Sequence, residues 1–496
     1  MELRAYQQEC IEAIKKSIAS KVKRTLVKAP CSFGKTIVFC EIARLASLRG
    51  TKVLVVVDSI ALVVQTFEKM KNFLDPSIIG IYCASLNSTD DTKLVTISTI
   101  QSIRSTLRDD FRVVIFDETH DGLSRISDFA AKFPNVFAIG FTATPYSPKG
   151  APIYGVGKFY ESLCYEMPVQ KMLAMGLITP MVYGAERDET KIDFSGVRIA
   201  GGDYNQDDLQ KVYDMNTQKI EEQIQDMIAR TSDRKKVIIM CTGIKHADYV
   251  ATTLGSAITY HSEISLFDRK KLIKEFEEGS AKYLVGVMAI YKGLDIPVVD
   301  CLVNMRPTRS KSFFVQFAGR GVRKHEAKEN CVFLDYGQTV ENLGFYEDIK
   351  ERVVNKGGGF IVETYPKKCP KCLALVAPQM RTCACGYKFP YDLTSNTTVI
   401  PYGPKSSTFI LSPFSKFDVI PTTSIKKTIS IAINDPSQIP QGTNGSSYTV
   451  NFYYRMDIGW QVTDFKKVER ALKASLNKVL HWKVDRKGWP VFISCV

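Results

Sequence analysis

The sequence predicts an α/β protein built on two successive parallel β-sheets. Three observations carry this. Short apolar runs at residues 26–27, 53–57, 94–97, 113–116 and 137–141 alternate with amphipathic segments such as 60–73. That is the pattern of buried parallel strands with helices on both faces. A second series at 237–241, 283–287, 301–305 and 331–334 repeats it. In the first half polar residues gather just after the runs, at the carboxyl ends of strands where such sheets bind ligands.

Composition sets the outer bounds. With 496 residues, 45% hydrophobic and 24% charged, the chain is globular and long enough for three or four domains. Its net charge of +14 makes a polyanionic partner plausible without choosing between DNA, RNA and an anionic membrane. Thirteen cysteines lie scattered without a disulfide-like framework, and the N-terminal residues do not read as a signal peptide. Both point to a reducing cytosol. The apolar run 53–57 is stopped by Asp58, so no membrane span is expected there or elsewhere.

Residues 25–41 read as strand, tight turn and helix, and the turn closes in Gly34-Lys35-Thr36. Such a loop points backbone N–H groups and a helix N-terminus at a polyphosphate. The lysine meets the outer phosphates and the threonine hydroxyl can hold magnesium. Ala29 stands where the GxxxxGK[ST] pattern has its first glycine. On this stretch alone, an ordinary turn with a surface lysine is the competing reading.

The run 113–116 ends in Asp117-Glu118-Thr119-His120. An acidic pair at the mouth of a buried strand, downstream of a phosphate loop, suits metal holding by the first carboxylate and activation of water by the second. The run 137–141 ends in Thr142-Ala143-Thr144-Pro145, which is informative because it comes one unit later. In the second half, Gln316-Phe317-Ala318-Gly319-Arg320-Gly321-Val322-Arg323 spells QxxGRxxR. Arginines delivered across a cleft stabilise the charge that spreads over a transferring phosphoryl group.

These motifs in this order resemble superfamily 2 helicases and translocases. The resemblance implies two tandem RecA-like domains, at residues 1–165 and 166–355, with ATP and Mg2+ between them. It implies that Lys35, Thr36, Gly34 and Ala29 form the phosphate loop, and that Thr36 and Asp117 hold magnesium. Glu118 is then the catalytic base, Arg320 and Arg323 are the arginine fingers, and Gln316 faces the γ-phosphate or couples to His120. Near the start, Leu3-Arg4-x-Tyr6-Gln7 is similar to the segment that reads adenine, through Gln7. Ser59, and Thr99 with Gln101, match strand-end loops that grip nucleic-acid phosphates. His120, Thr142 and Thr144 fall where relatives couple the nucleotide to motion. Lys292-Gly293-Leu294-Asp295-Ile296-Pro297 looks like the fifth motif, which puts Asp295 near the nucleotide. Two departures stand out. Cys31 and Ser32 occupy the phosphate loop, Ser32 where many helicases carry glycine, and Ala289-Ile290-Tyr291 replaces the threonine often found before the fifth motif's glycine.

Residues 161–180 read as the link between the two halves, and the polar stretch 185–208 as a surface loop. Beyond a joint at Gly357-Gly358-Gly359, Cys369 and Cys372 form CxxC, and Cys383 and Cys385 form CxC before Gly386. Two thiolate pairs on turns can close a tetrahedral, structural Zn2+ site, here a zinc-ribbon element at residues 362–390. Arg381, Tyr387 and Lys388 nearby can touch a phosphate backbone. The remainder, with a domain at 405–496, holds 13 lysines and arginines against seven acids from residue 391 onward. It reads as a Ser/Thr/Pro-rich linker, paired strands at 428–433 and 447–454, and a basic helix at 465–480 beside Trp482 and Trp489. This is a small basic α+β domain for nucleic-acid binding or an accessory role.

The whole combination resembles the RadD-like branch of superfamily 2 and the branched-DNA helicases that large phages encode. It implies an ATP-dependent DNA helicase or translocase acting on forked or branched DNA in recombination, repair or replication. Single-stranded-DNA-binding or recombination proteins are then partners, in a bacterial or phage-infected cytosol. An RNA helicase, a nucleotide-gated regulator without motor activity, and the motor subunit of a restriction or remodelling complex are the alternatives.

Overall fold

The computed structural model describes residues 3–103, 107–120, 122–147, 151–290, 294–349 and 366–389, and six strands between 406 and 495. Its contacts divide the chain into two units. Met1–Arg352 with Glu363–Phe389 form the first; Val353–Val362 with Pro390–Val496 form the second.

The first unit opens with helix α1 (Ala5–Ala19) and an eight-stranded sheet. Its strands are β1 (Arg24–Lys28), β2 (Val53–Val57), β3 (Ile79–Cys83), β4 (Ser88–Thr89), β5 (Val95–Thr99), β6 (Val113–Phe116), β7 (Phe137–Thr142) and β8 (Ser162–Glu166). Their order is β4-β3-β5-β2-β6-β7-β1-β8, parallel except at β4. Helices α2 (Lys35–Ser47), α3 (Ile60–Met70) and α4 (Leu123–Lys132) cover it. All five residues of β2 and of β5 are buried, as expected for strands covered on both faces.

Helix α5 (Val169–Ala174) leads into a second, all-parallel sheet of order β13-β14-β12-β15-β16-β9. These are β9 (Met181–Ala185), β12 (Val237–Met240), β13 (Ala257–Tyr260), β14 (Tyr283–Gly286), β15 (Cys301–Asn304) and β16 (Cys331–Asp335). Between β9 and β12 stand the hairpin β10 (Ile199–Ala200) with β11 (Asp203–Tyr204), and helices α6 (Gln206–Asp214) and α7 (Thr217–Arg230). Helices α8 (Ile244–Leu254), α9 (Leu266–Glu278), α10 (Lys311–Gly321) and α11 (Thr339–Leu343) complete this half. The parallel-sheet architecture is the one the hydropathy pattern predicts.

Three expectations need correction. Residues 162–166 are not linker: β8 pairs with β1, and its half-exposed edge position gave no continuous apolar run. Residues 185–208 are not a loose surface loop. Ile192, Phe194 and Val197 are buried against Leu209, Tyr213 and Ile224, so three widely spaced apolar residues anchor the segment. At 465–480, Val479 and Leu480 open a strand, Val479–Val484, and the rest of that expected helix lies outside the described residues.

The four-cysteine element, strands β17 (Lys367–Lys368) and β18 (Leu375–Val376), docks on the second sheet. The amide of Ala185 donates to Leu373 O at 2.8 Å, and Ala374 bridges Gly184. The element therefore covers the exposed edge of β9, which protects an unpaired strand. The second unit holds two three-stranded sheets. One is β19 (Ser406–Ile410), β23 (Val479–Val484) and β24 (Pro490–Cys495); the other is β20 (Lys416–Pro421), β21 (Lys426–Ile433) and β22 (Tyr448–Arg455). The pairing of β21 with β22 is the expected antiparallel one, whereas β19 and β20 fall in the stretch expected as linker. The triple glycine at 357–359 and Trp489 lie outside the described residues.

Candidate nucleotide site

The carboxyl end of the first sheet and the second half of the first unit face each other across a cavity of about 400 Å³. Cys31, Ser32, Gly34, Lys35, Thr36, Asp58, Asp117 and Glu118 line it from the first half, and Asp295, Gln316, Arg320 and Arg323 from the second.

The phosphate loop joins β1 to α2. The amide of the buried Ala29 donates to Thr142 O at 2.9 Å, tying the loop to β7. Ser32 (φ 66°) and Gly34 (φ 86°) are both left-handed. Glycine adopts that region freely, whereas the serine is strained there, as residues at functional sites often are. The Ser32 hydroxyl is buried and has no hydrogen-bond partner among the described residues. An orphaned hydroxyl beside the N-terminus of a 13-residue helix fits an anionic ligand.

Lys35, in the first turn of α2, reaches across to the strand end of β6. It pairs with Glu118 and lies 3.8 Å from Asp117. Burial works against the lysine's charge, but Glu118 and then Asp117 outweigh it and hold its pKa above the usual value. Burial also pushes Asp117 up to about 6, against the pull of Lys35. For Glu118 the balance reverses: Lys35, with Arg320 behind it, overcomes burial and keeps it below the usual carboxylate range. Two adjacent acids are thus driven apart by their surroundings, Asp117 upward by burial and Glu118 downward by the lysine. Glu118 sits at φ 44°, a second strained residue in the same cavity.

From the opposite side, α10 presents Gln316 and Arg320, and Arg323 follows just beyond its end. The Gln316 amide nitrogen meets His120 Nε2 at 3.2 Å and Glu118 Oε2 at 3.5 Å. That nitrogen can only donate, so His120 Nε2 accepts and the ring proton sits on Nδ1. His120 Nδ1 then donates to Thr142 Oγ1 at 2.8 Å, and Thr142 Oγ1 also accepts from the Thr144 amide at 2.9 Å. Thr144 Oγ1 reaches Ser312 Oγ of α10 at 3.2 Å. A continuous chain of polar contacts therefore crosses the cavity. Ser312 is a member that no sequence motif announced. Arg320 and Arg323 both donate to Leu294 O, and Arg323 pairs with Asp295. Burial, with Arg323 alongside, lowers Arg320 to about 10. Cys31 is also at the crossing, since a Cβ on Gly319 would overlap its sulfur.

The remaining predicted residues divide. Gln7 is buried outside the cavity lining; its Nε2 donates to Phe33 O at 3.2 Å and its Oε1 accepts from Arg4 N at 3.1 Å. A Cβ on Gly34 would strike that amide, so Gln7 buttresses the phosphate loop from behind. Ser59 caps α3 by accepting from Leu62 N at 3.4 Å. The Thr99 hydroxyl is buried in a turn with Ser102, while Gln101 is exposed. Val57 and Thr99 pair in register, so these loops leave one edge of the sheet side by side. Lys292 and Gly293 of the fifth motif lie outside the described residues.

The sulfurs of Cys369, Cys372, Cys383 and Cys385 all lie within 4.8 Å of one another. Cys369 to Cys385 is 3.7 Å and Cys372 to Cys383 is 3.5 Å. Four thiolates about 2.3 Å from a central ion stand roughly 3.8 Å apart at tetrahedral angles, so the set fits zinc. Left-handed Leu373 (φ 61°) and Gly386 (φ 84°) each follow a cysteine and turn the two knuckles.

Residues 1–147 match the family described as the res subunit of type III restriction enzymes, and residues 218–325 the helicase conserved C-terminal domain. A 51.5 kDa protein of a Lactococcus phage is 26% identical over 73% of this chain and 78% of its own length. A protein of Schizosaccharomyces pombe described as a mitochondrial ATP-dependent helicase, irc3, is 26% identical over 70% of this chain, which spans 59% of it. The DNA 3'-5' translocase XPB2 of Sulfurisphaera tokodaii is 26% identical over 66% of this chain and 80% of its own length. Among solved structures, a fragment described as an HsdR subunit of a type I restriction enzyme from Vibrio vulnificus shares the fold. Its TM-score is 0.53 at 21% identity, covering 68% of this chain and 65% of that one. With the phosphate loop, the acidic pair and the paired arginines gathered on one cavity between two parallel sheets, the chain belongs to superfamily 2 of the ATP-dependent helicases and translocases.

Proposed function

We propose that this protein is a DNA motor that couples ATP hydrolysis to unwinding or branch migration of forked or branched DNA. The single observation that carries the reading is the chain of polar contacts across the cavity, from Glu118 and His120 through Gln316 and from Thr144 through Ser312. It joins the hydrolytic side to the arginine side, so closure of the halves and completion of the site are one event. When bound, ATP supplies the phosphoryl group and magnesium neutralises its charge. With the nucleotide in place Lys35 would turn from Glu118 to the phosphates, and Thr36 and Asp117 would hold the metal. Glu118, freed of the lysine, orients and deprotonates the attacking water, while Gln316 and His120 position that carboxylate. Arg320 and Arg323 face the transferring group. Their hold on Leu294 and Asp295 links them to the fifth motif. Ser59, Thr99 and Gln101 line the strand-end loops that follow the nucleic acid, with Thr142 and Thr144 as couplers.

DNA is favoured over RNA because the Sulfurisphaera relative is named a DNA translocase. The domains are 1–165 and 166–355 for the motor, 362–390 for a structural zinc element and 405–496 for a basic accessory domain. That basic tail supports a substrate with a second arm, as in the RadD-like branch. The phage relative supports action in a bacterial or phage-infected cytosol, with recombination proteins as partners.

The test is steady-state ATPase activity with no polymer, single-stranded DNA, duplex, a four-way junction and RNA, with Lys35→Ala as control. The expected result is strongest stimulation by the junction, lost in Lys35→Ala. Preference for RNA moves the reading to an RNA motor. No hydrolysis with any polymer overturns it.

A further inference from the structure

The chain leaves β15 through Met305-Arg306-Pro307-Thr308-Arg309-Ser310 and enters α10. Asp203, on the second strand of the hairpin β10–β11, reaches into this turn. Its carboxylate accepts from the Thr308 hydroxyl at 2.9 Å, from the Arg309 amide at 2.7 Å and from Arg306 Nη2 at 3.2 Å. The Arg306 side chain is only 6% exposed, and its Nε and Nη1 are buried with no partner among the described residues. A hydroxyl, a backbone amide and a guanidinium converging on one point are the donors of an oxyanion site. Asp203 leaves that arginine under-satisfied, with two guanidinium nitrogens, Nε and Nη1, unmatched among the described residues. The hairpin that supplies it is slight. Each strand has two residues, Gly201 (φ 62°) and Gly202 (φ 94°) form the turn, and Ile199, Ala200 and Gly201 are exposed.

We propose that Asp203 is a tethered occupant of a phosphate site, and that a backbone phosphate of the nucleic acid displaces it when the motor engages a strand. This deepens the DNA-motor reading and rests on it. A phosphodiester matches the carboxylate's single charge and adds acceptor geometry for Arg306, while exposed Arg309 adds a further cation at the mouth. The site also opens onto the right helix. Ser310 caps α10 by accepting from Phe313 N, Ser312 of the same helix meets Thr144, and Gln316 and Arg320 line the nucleotide cavity. Occupation of the site by polymer in place of the hairpin thus acts on the helix that carries the arginine finger. The competing account is that Asp203 is only the counter-ion of a buried arginine.

The two accounts separate by fluorescence anisotropy of a labelled oligo-dT with the full chain, its Asp203→Asn variant and Lys35→Ala. Displacement predicts that Asp203→Asn, at an unchanged melting temperature, binds on the order of tenfold tighter, because a like charge leaves the phosphate site. Equal or weaker binding overturns the displacement. Hydrogen exchange on the wild-type chain decides the matter even where the variant fails to fold. Oligo-dT is expected to speed exchange at residues 199–204 while the Arg309 amide stays protected; no change there overturns the proposal. If neither the wild-type chain nor any variant binds the oligonucleotide, the DNA-motor reading itself falls, an outcome distinct from binding without a gain.

Discussion

The two parallel sheets share an architecture but finish their carboxyl edges in opposite ways. At the first, Lys35, Asp117 and Glu118 are held as mutually paired charges, the Ser32 hydroxyl has no partner among the described residues, and two non-glycine residues sit at positive φ. At the second, side chains bond to one another across the edge, although Arg306 and Glu186 keep buried atoms without a partner among the described residues. Asn304 donates to Asp335 at 2.9 Å and to Thr339 at 3.0 Å, and the His246 ring meets Thr242 at 2.9 Å. Tyr213 donates to Met305 O, and Asp203 fills the turn before α10. Close pairs of opposite charge gather where the phosphate loop must receive a ligand, and the hydrogen bonds of Asn304 and Tyr213 tie the second edge together. The second half contributes to the cavity mainly through one helix, α10, and the residues just beyond its C-terminus.

The contrast breaks most visibly at Glu118. Glu118→Gln is expected to reduce turnover by about 10²–10⁴-fold, the range for loss of a general base. It should leave nucleotide binding intact or tighter, because Lys35 no longer has an ionised rival. Single-turnover hydrolysis beside a nucleotide-binding titration checks both, and wild-type turnover would remove Glu118 from the role of base.

The second edge is tested through Glu186, the residue after β9. It is buried, accepts from Gln223 Nε2 at 3.0 Å, and has an Oε1 with no partner among the described residues. Burial, with Asp335 nearby, pushes it up to about 8 from 4.5. A raised carboxyl pKa in the fold means that the neutral acid is the favoured form. Its contribution is complete below about 4.5 and is lost as pH rises through about 8. Glu186→Gln keeps the acceptor and removes the titration. It should be more stable than the wild type at pH 9 by on the order of a few kcal/mol, with the difference closing toward pH 5. Thermal unfolding at the two pH values measures this. A pH-independent difference would mean that Glu186 is ionised in the fold.

The smallest effect sharpens the first edge. Ser32→Gly relieves a left-handed serine and removes its orphaned hydroxyl. Stability should rise by about 0.5–1 kcal/mol while nucleotide affinity falls a few-fold. Opposite signs in the melting temperature and the binding constant would show strain maintained for a ligand. Matching signs would make Ser32 an ordinary loop residue.

Much of the site was legible in the chain because its parts are local. A phosphate loop needs a glycine, a lysine and a hydroxyl within a few residues of a strand end. An acidic pair after a buried strand and QxxGRxxR at the end of one helix are equally compact. The same holds for the four cysteines, whose spacing alone brings the sulfurs together. The features that escaped reading were long-range. Gln7 looked free to meet a base, yet its amide is engaged behind the phosphate loop. Ser312 gained meaning only when Thr144, far away in sequence, came within hydrogen-bonding distance. The stretch 185–208 looked polar because the residues that bury it are few and unevenly spaced.

By itself the sequence determined the two sheets, the order of the motifs and the chemistry each carries, since hydropathy period and short-range spacing are properties of neighbouring residues. Tertiary structure alone decided which charges meet: that Lys35 rests on Glu118, that Gln316 assigns the proton of His120, that the cysteine element closes the edge of β9, and that Asp203 sits among the donors before α10. Those pairings depend on how two separately encoded sheets and their connecting segments pack against one another, and no local pattern records that distance.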